Sequence, residues 1–443
     1  MAFDNSNQRD KSNLGHKSNL VDRSKSRDHQ GARNQQNQRA PQGQPKEQQN
    51  RSAQPSRQAP NRYFATCPRG LEQLLVDELK QVSAKVVNVT DGGVSFDGDW
   101  AVCYAANLHS RLATRILWQV GRGKYLNEED LFNAAYKMNW PQWFDVKHDF
   151  MVKVTGVKCP LKSLEFATLK IKDAVCDKFR QAVGSRPYID TKTPSVRIHA
   201  YLTTDEYQYY LDTSGAALYQ RGNRGASIEA PLRENLAAGI LKLTGWQVGQ
   251  PLLDPMCGSG TFLLEAAMVS LDMAPGIKRE FGFEKLKTFE SDTWKKIKNQ
   301  ALSKVKKVSF QKIYGSDMDL RAVRVTKQNL EAAGLLEAVQ VSHVDMLNVI
   351  PPADHGVLVA NPPYGVRIGE DEALTALYPK MGEALKHKFA GWNTYFLTND
   401  LRMPKLMRLS PSKKTPLFNG PLECRLFEIK MVAGSNRKDK PEA

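Results

Sequence analysis

From about residue 231 onward, short apolar runs alternate with helical stretches, and this alternation limits the chain to a small set of folds. The runs lie at 251–254, 312–316, 339–344, 356–360 and 393–397, after a helical stretch at 233–243. Strands separated by helices pair in parallel, and the helices then cover both faces of the sheet. The expected fold class is therefore α/β, a Rossmann-like doubly wound sheet. A last run at 424–432 is expected as one more strand at the end of that sheet.

The strongest local motif is Leu252-Leu253-Asp254-Pro255-Met256-Cys257-Gly258-Ser259-Gly260-Thr261, which leads into a helix. Ligands of doubly wound sheets sit at the carboxyl ends of strands, beside such a turn. Gly258 and Gly260 let a ligand approach the backbone closely, and the helix start offers N–H groups to an anion such as the carboxylate of methionine. Asp254 is placed to hold an ammonium group. The third glycine of the dinucleotide fingerprint is missing, and no Gly-Lys-Ser/Thr follows, so neither NAD binding nor a Walker loop is indicated.

Two further acids follow at strand ends. Asp317, favoured over Asp319, is expected to grip ribose hydroxyls, and Asp345 to meet an adenine amino group. Asp317 comes 59 residues after Gly258, where about 20 is usual, so the Lys-rich stretch 278–308 is expected to be a helical insertion. Three strand-end acids fit S-adenosylmethionine. The expected cofactor contacts from this pattern are Asp254, Met256, Cys257, Gly258, Gly260, Thr261, Asp317, Met318 and Asp345.

Asn361-Pro362-Pro363-Tyr364 directly follows the run at 356–360, 107 residues after Asp254. An aromatic amine is a poor nucleophile because its lone pair is delocalised into the ring. The Asn361 side-chain oxygen and the Pro362 carbonyl can accept its N–H bonds and direct the lone pair, while the two prolines fix the backbone that holds them. Tyr364 can stack on a base turned out of its helix. Asn361, Pro362, Pro363 and Tyr364 are the expected catalytic group. Cys257 and Cys424, the only thiols imaginable as nucleophiles for C5 methylation, read as ordinary buried thiols, and His343 reads as a packed strand residue.

The region before 231 has a different texture. Residues 1–61 are rich in Asn, Gln, Ser and basic residues, and residues 1–62 hold twelve Lys or Arg against five Asp or Glu. Too little apolar surface is present to offset ordering entropy, so a disordered basic tail is expected. A second short tail is expected at 434–443. Between 63 and 211 the patterns suggest α+β units: helices at 103–118 and 163–182, and strands at 85–89, 93–96, 150–157, 195–202 and 206–211. The Gly- and Arg-rich segment 212–230 reads as a linker. The formal net charge of +16, from 63 basic and 47 acidic residues, favours a polyanionic partner, most often nucleic acid. The six cysteines show no zinc-ligand spacing, and no metal is expected. No apolar run approaches the roughly 18 residues of a membrane helix, no signal peptide is evident, and a cytoplasmic location is expected.

At these residues the chain resembles the THUMP-domain guanine-N2 methyltransferases, most closely the N-terminal methyltransferase half of those that modify large-subunit ribosomal RNA. The resemblance spans about 63–432. It rests on Tyr63–Leu75 (YFATCPRGLEQLL), Gly92-Gly93-Val94-Ser95-Phe96, Ala230–Ala238 (APLRENLAA), Leu252–Thr261, Gly315–Val323 and Asn361–Gly365. It implies a ferredoxin-like region at 62–115, a THUMP RNA-binding domain at 116–215 and a class I methyltransferase domain at 216–433. It also implies that Arg233, Glu234 and Asn235 close over the cofactor, which adds Glu234 and Asn235 to the expected contacts. The activity implied is N2-methylation of a guanosine in 23S ribosomal RNA or its precursor, by a monomer. Longer relatives carry a second methyltransferase domain, so a second activity is not expected here. The alternatives are a tRNA guanosine-N2 methyltransferase, a DNA adenine-N6 enzyme sharing Asn-Pro-Pro-Tyr, and a non-catalytic RNA-binding assembly factor.

Overall fold

The computed structural model describes residues 60–222, 232–363 and 370–432. The expectations for the basic tail, the residues just before 232, Tyr364 and the C-terminal tail lie outside these residues.

The first half builds one sheet from β1 (Asn61–Thr66), β2 (Lys85–Thr90), β3 (Gly93–Gly98), β4 (Arg115–Lys124), β5 (Phe150–Gly156), β6 (Val196–Leu202) and β7 (Glu206–Asp212). Its strand order is β2-β3-β1-β4-β7-β6-β5. Alternate residues such as Tyr63, Ala65, Val94, Phe96, Ile116 and Ile198 are fully buried, as a sheet covered by helices on one face requires. The helices are α1 (Glu72–Gln81), α2 (Trp100–His109), α3 (Glu128–Lys137) and α4 (Leu164–Val183). Strand β4 carries the whole sheet. Its start pairs with β1, from Thr66↔Arg115 to Tyr63↔Trp118. From Leu117 to Lys124 it pairs with β7.

Two expectations for this half are corrected, and one helix has no counterpart in the sequence reading. The helix expected at 103–118 is two elements: α2 starts at an Asp99 cap, whose side chain accepts the Val102 N–H at 2.9 Å, and ends at His109, after which Arg115–Trp118 is strand. An apolar run of this length fits either period, and strand pairing on both sides decides it. Helix α3 was unassigned, although its Asn127 and Asp130 form a capping box. The described part of the expected linker, 212–222, is instead built into the core: Asp212, Thr213, Ser214 and Arg221 are buried.

The second half forms the expected doubly wound sheet. Its elements are α5 (Glu234–Leu243), β8 (Leu252–Asp254), α6 (Thr261–Ser270), α7 (Ser291–Ser303), β9 (Ile313–Asp317), α8 (Leu320–Ala333), β10 (Val339–His343), β11 (Gly356–Ala360), α9 (Glu370–Lys388), β12 (Trp392–Thr398), α10 (Met403–Leu406), β13 (Lys413–Asn419) and β14 (Leu422–Lys430). The order is β10-β9-β8-β11-β12-β14-β13, with β8 to β12 parallel and the last two strands antiparallel. The strand expected at the end of the sheet lies one place in, because β13 takes the edge. Lys413, Lys414 and Pro416 hid β13 from a hydrophobic pattern, yet these residue types are what an edge strand carries.

The Lys-rich insertion is helical over α7 and a short 3-10 turn at Gly282–Lys285. Its apolar residues dock the two halves together: the Tyr104 ring of α2 lies 4.5 Å from that of Phe283 and 6.2 Å from that of Trp294. Arg279 donates to the carbonyls of Ser214 and Ala217 at 3.1 and 2.8 Å.

Candidate active site

The four parallel neighbours β10, β9, β8 and β11 end on one rim of the sheet. The chain enters at β8, winds outward through β9 to β10, then crosses back to β11 on the other side. Its switch point thus lies between β8 and β11, where open α/β sheets bind ligands. Asp345, Asp317, Asp254 and Asn361 follow the ends of these four strands in that spatial order. Three strand spacings of roughly 4.8 Å put the row at about 14 Å across.

Asp254 ends β8 and is 2% exposed. Its Oδ1 accepts the Met256 N–H at 3.2 Å. Burial, with the charge of nearby Asp317 adding to it, holds this carboxyl well above the usual carboxylate range. Asp317 faces the glycine turn: its Oδ2 accepts the Gly258 N–H and its Oδ1 the Asp319 N–H, each at 2.9 Å. Asp319 instead caps α8, bonded to the Arg321 N–H at 2.8 Å. The Asp345 Oδ1 accepts the Leu347 N–H at 2.9 Å.

The turn itself is left-handed at Gly258 (φ +55°) and Gly260 (φ +81°). A Cβ on Gly258 would meet nothing within 4 Å, so this backbone faces open space. A Cβ on Gly260 would lie 2.8 Å from the Thr326 methyl. Thr326 and Asn329, fully buried on α8, hold the turn from behind. The Thr326 hydroxyl donates to the Gly258 carbonyl at 2.8 Å, and the Asn329 amide to the Ser259 carbonyl at 3.0 Å. Sequence reasoning missed both, though a signal existed: they fall on the stripe Ala322, Val323, Thr326, Leu330, Ala333, where polar residues are out of place.

Of the remaining expected contacts, Met256 is half-buried, Cys257 and Thr261 are buried, and Met318 is 67% exposed. Burial pushes the Cys257 thiol up, which disfavours a thiolate, and its sulfur lies 3.7 Å from the Thr326 hydroxyl. Cys424 is buried as well. His343 is not a packed residue as expected. It is exposed, and its Nε2 lies 2.9 Å from the Met318 carbonyl. Glu234 and Asn235 begin α5. Asn235 is fully buried and donates to the Leu112 carbonyl at 3.3 Å and the Thr114 hydroxyl at 2.9 Å. Its Nδ2 thus faces the N-terminal half.

Asn361 and Pro362 follow β11, whose residues Val357–Ala360 are at most 1% exposed. Pro362 is buried and Pro363 exposed. The last strand residue, Ala360, is in register with Phe396 of β12, so the Asn-Pro-Pro turn is anchored on the β12 side.

A glycine turn cradled by strand-end acids, beside an Asn-Pro-Pro turn on the next strand, defines a methyltransferase-type site on a Rossmann-like sheet. Comparison with known proteins agrees. Residues 62–117 match the RlmL ferredoxin-like domain, 125–212 the THUMP domain, and 221–428 the RMKL-like methyltransferase domain. The chain is 38% identical over 385 residues to the ribosomal RNA large subunit methyltransferase K/L of Shewanella frigidimarina. That match takes in 86% of this chain and 54% of the relative, so the chain spans about half the length of the curated relatives it matches. Among solved structures, a candidate methyltransferase complexed with SAH has a TM-score of 0.76 at 30% identity, covering 85% of this chain and 100% of that one. A predicted N6-adenine-specific DNA methylase from Listeria monocytogenes has a TM-score of 0.75 at 30% identity, covering 84% and 96%. The chain belongs to the family of methyltransferases that join an RlmL-type ferredoxin-like domain and a THUMP domain to a Rossmann-like catalytic domain.

Proposed function

We propose that this chain is an S-adenosylmethionine-dependent methyltransferase acting on the N2 amino group of a guanosine in 23S ribosomal RNA of the large subunit. One observation carries the reading: the Asn361-Pro362-Pro363 turn stands on the strand beside the glycine turn, at the switch point of the sheet. The cofactor fits the residues present. Asp254 is a buried carboxyl next to Asp317, and an ammonium group would restore its charge. Gly258 leaves open space where a side chain would stand, and the start of α6 favours a carboxylate. Asp317 and Asp345 supply acceptors for ribose and adenine. Met256, Cys257, Gly260, Thr261 and Met318 complete the proposed surround, with Glu234 and Asn235 at its margin. Bound there, S-adenosylmethionine supplies an electrophilic methyl group on sulfonium.

The chain's own residues orient the acceptor. The Asn361 side-chain oxygen and Pro362 carbonyl accept the two amino protons of the base and turn the nitrogen lone pair away from the ring. Pro362 and Pro363 hold those oxygens without reorganisation. The named relatives modify large-subunit ribosomal RNA, and the THUMP match favours RNA over the DNA named for the Listeria neighbour. Among the described residues no helix is long and apolar enough to cross a membrane. Purified 23S ribosomal RNA lacking modification, incubated with enzyme and cofactor and digested to nucleosides, is expected to yield N2-methylguanosine by mass spectrometry. Methyl transfer to N6 of adenine, or to tRNA alone, would overturn this reading.

A further inference from the structure

A cleft of about 210 Å³ lies between the two halves of the protein. Arg69, Thr114, Arg233 and Phe418 are among its lining residues. It opens on the same rim as the Asn361 turn. Strand β14 runs antiparallel to β12 with Arg425 opposite Thr398, so the β13–β14 turn, with Phe418 at the end of β13 just before it, stands beyond the carboxyl end of β12. Helix α5 leads toward the amino end of β8, so Arg233 at its start belongs to the carboxyl rim.

The two arginines are held in the same way. The Arg69 guanidinium sits 4.0 Å from the centre of the Phe418 ring, and that of Arg233 sits 5.2 Å from the centre of the Tyr219 ring. Both residues are exposed, and among the described residues neither meets a carboxylate. A guanidinium stacked on an aromatic face keeps its N–H edges for a planar or tetrahedral oxyanion. Thr114 lines the same cleft, and its hydroxyl accepts the Asn235 amide at 2.9 Å, which leaves its own O–H to donate. Asn235 is fully buried, so the hydroxyl is fixed from inside the protein. Two cations and a fixed hydroxyl donor facing one cleft suit an anion with several oxygens.

We propose that this cleft is a phosphate clamp for the sugar-phosphate backbone of the substrate RNA, next to the nucleotide being modified. The proposal rests on the reading of the substrate as RNA. Phosphate contacts set register and orientation rather than sequence, and a clamp at the catalytic rim places the strand where its base enters the site. The clamp lies outside the THUMP match at 125–212, so it is separate from any contact that domain makes.

The test measures retention of a labelled 23S ribosomal RNA transcript by the full chain across a range of salt concentrations. For Arg69→Ala and Arg233→Ala, affinity is expected to fall roughly ten-fold each, with the slope of log affinity against log salt reduced by about 1 per arginine. Arg69→Lys and Arg233→Lys keep the charge and should restore the slope while recovering affinity only in part. The melting temperature and circular dichroism of the cofactor-free chain should be the same in all variants, which shows that they fold. Unchanged affinity and slope in the double alanine variant would overturn the clamp and leave the RNA reading intact. A wild-type chain that retains no RNA would overturn both. Displacement of the RNA by inorganic phosphate at comparable concentration would assign the cleft to a free anion instead.

Discussion

Asn361 can direct an amino group only if its acceptor is held still, and the residues before and after it do this. Ala360 is locked in register with β12 and Pro362 is buried. Asn361→Ala should therefore lower the rate of methyl transfer by about 100- to 1,000-fold, with S-adenosylhomocysteine binding by calorimetry unchanged. Loss of binding in step with activity would show that the turn is structural. Asp254 makes a second, opposite prediction. Its folded-state pKa is raised, so in the cofactor-free protein its contribution to stability is fully present below the unfolded carboxyl value and is lost as pH rises through the raised value. Asp254→Asn should flatten this loss in pH-dependent melting while weakening the cofactor. In the wild type, a cationic ligand group lowers the carboxyl pKa again, so binding should release a proton, seen as a buffer-dependent heat in calorimetry.

At the scale of elements, helix α8 is the support of the glycine turn. The Thr326 hydroxyl and Asn329 amide are buried donors to its carbonyls. Asn329→Leu leaves the buried Ser259 carbonyl short of a partner and should cost about 1–3 kcal/mol, while Thr326→Val, at the part-buried Gly258 carbonyl, should cost about 1 kcal/mol; both are read by denaturant unfolding and should weaken cofactor binding. The alternation of elements, the strand-end acids and the Asn-Pro-Pro turn were legible in the sequence because each is local: a period, a strand end, a spacing. Asp317 could be preferred over Asp319 for the same reason. What was not legible depends on partners far along the chain. The start of strand β4, Arg115–Trp118, reads as helix in the sequence because its neighbours β1 and β7 lie some 50 and 90 residues away. Edge strand β13 looked too charged to be a strand, and Arg221 looked like part of a linker because its partner Glu265 is 44 residues away.

For the whole molecule, the two halves are joined through a core rather than a hinge. Arg221 and Arg111 both reach Glu265, at 2.9 and 3.3 Å, where side-chain exposure is 4%, 12% and 1%. Taking one cation from such a group leaves charge buried, so Arg221→Ala should cost about 3–5 kcal/mol by chemical denaturation. Tyr104→Ala empties the aromatic contact with Phe283 and Trp294, and a loss of about 3 kcal/mol is expected. Both should act on a single unfolding transition. Two separate transitions in the wild type would show that the halves are independent.

Strand β4 has one more consequence, for inheritance rather than for catalysis. The family models place the seam between the ferredoxin-like and THUMP modules at 117–125, inside this strand. A recombination event at that seam would divide β4 between the two products, so that β1 or β7 is left with a shortened partner. Exposed strand edges invite misassembly. The pair can therefore pass between genes only as one cassette, however distinct the two halves look when read as sequence.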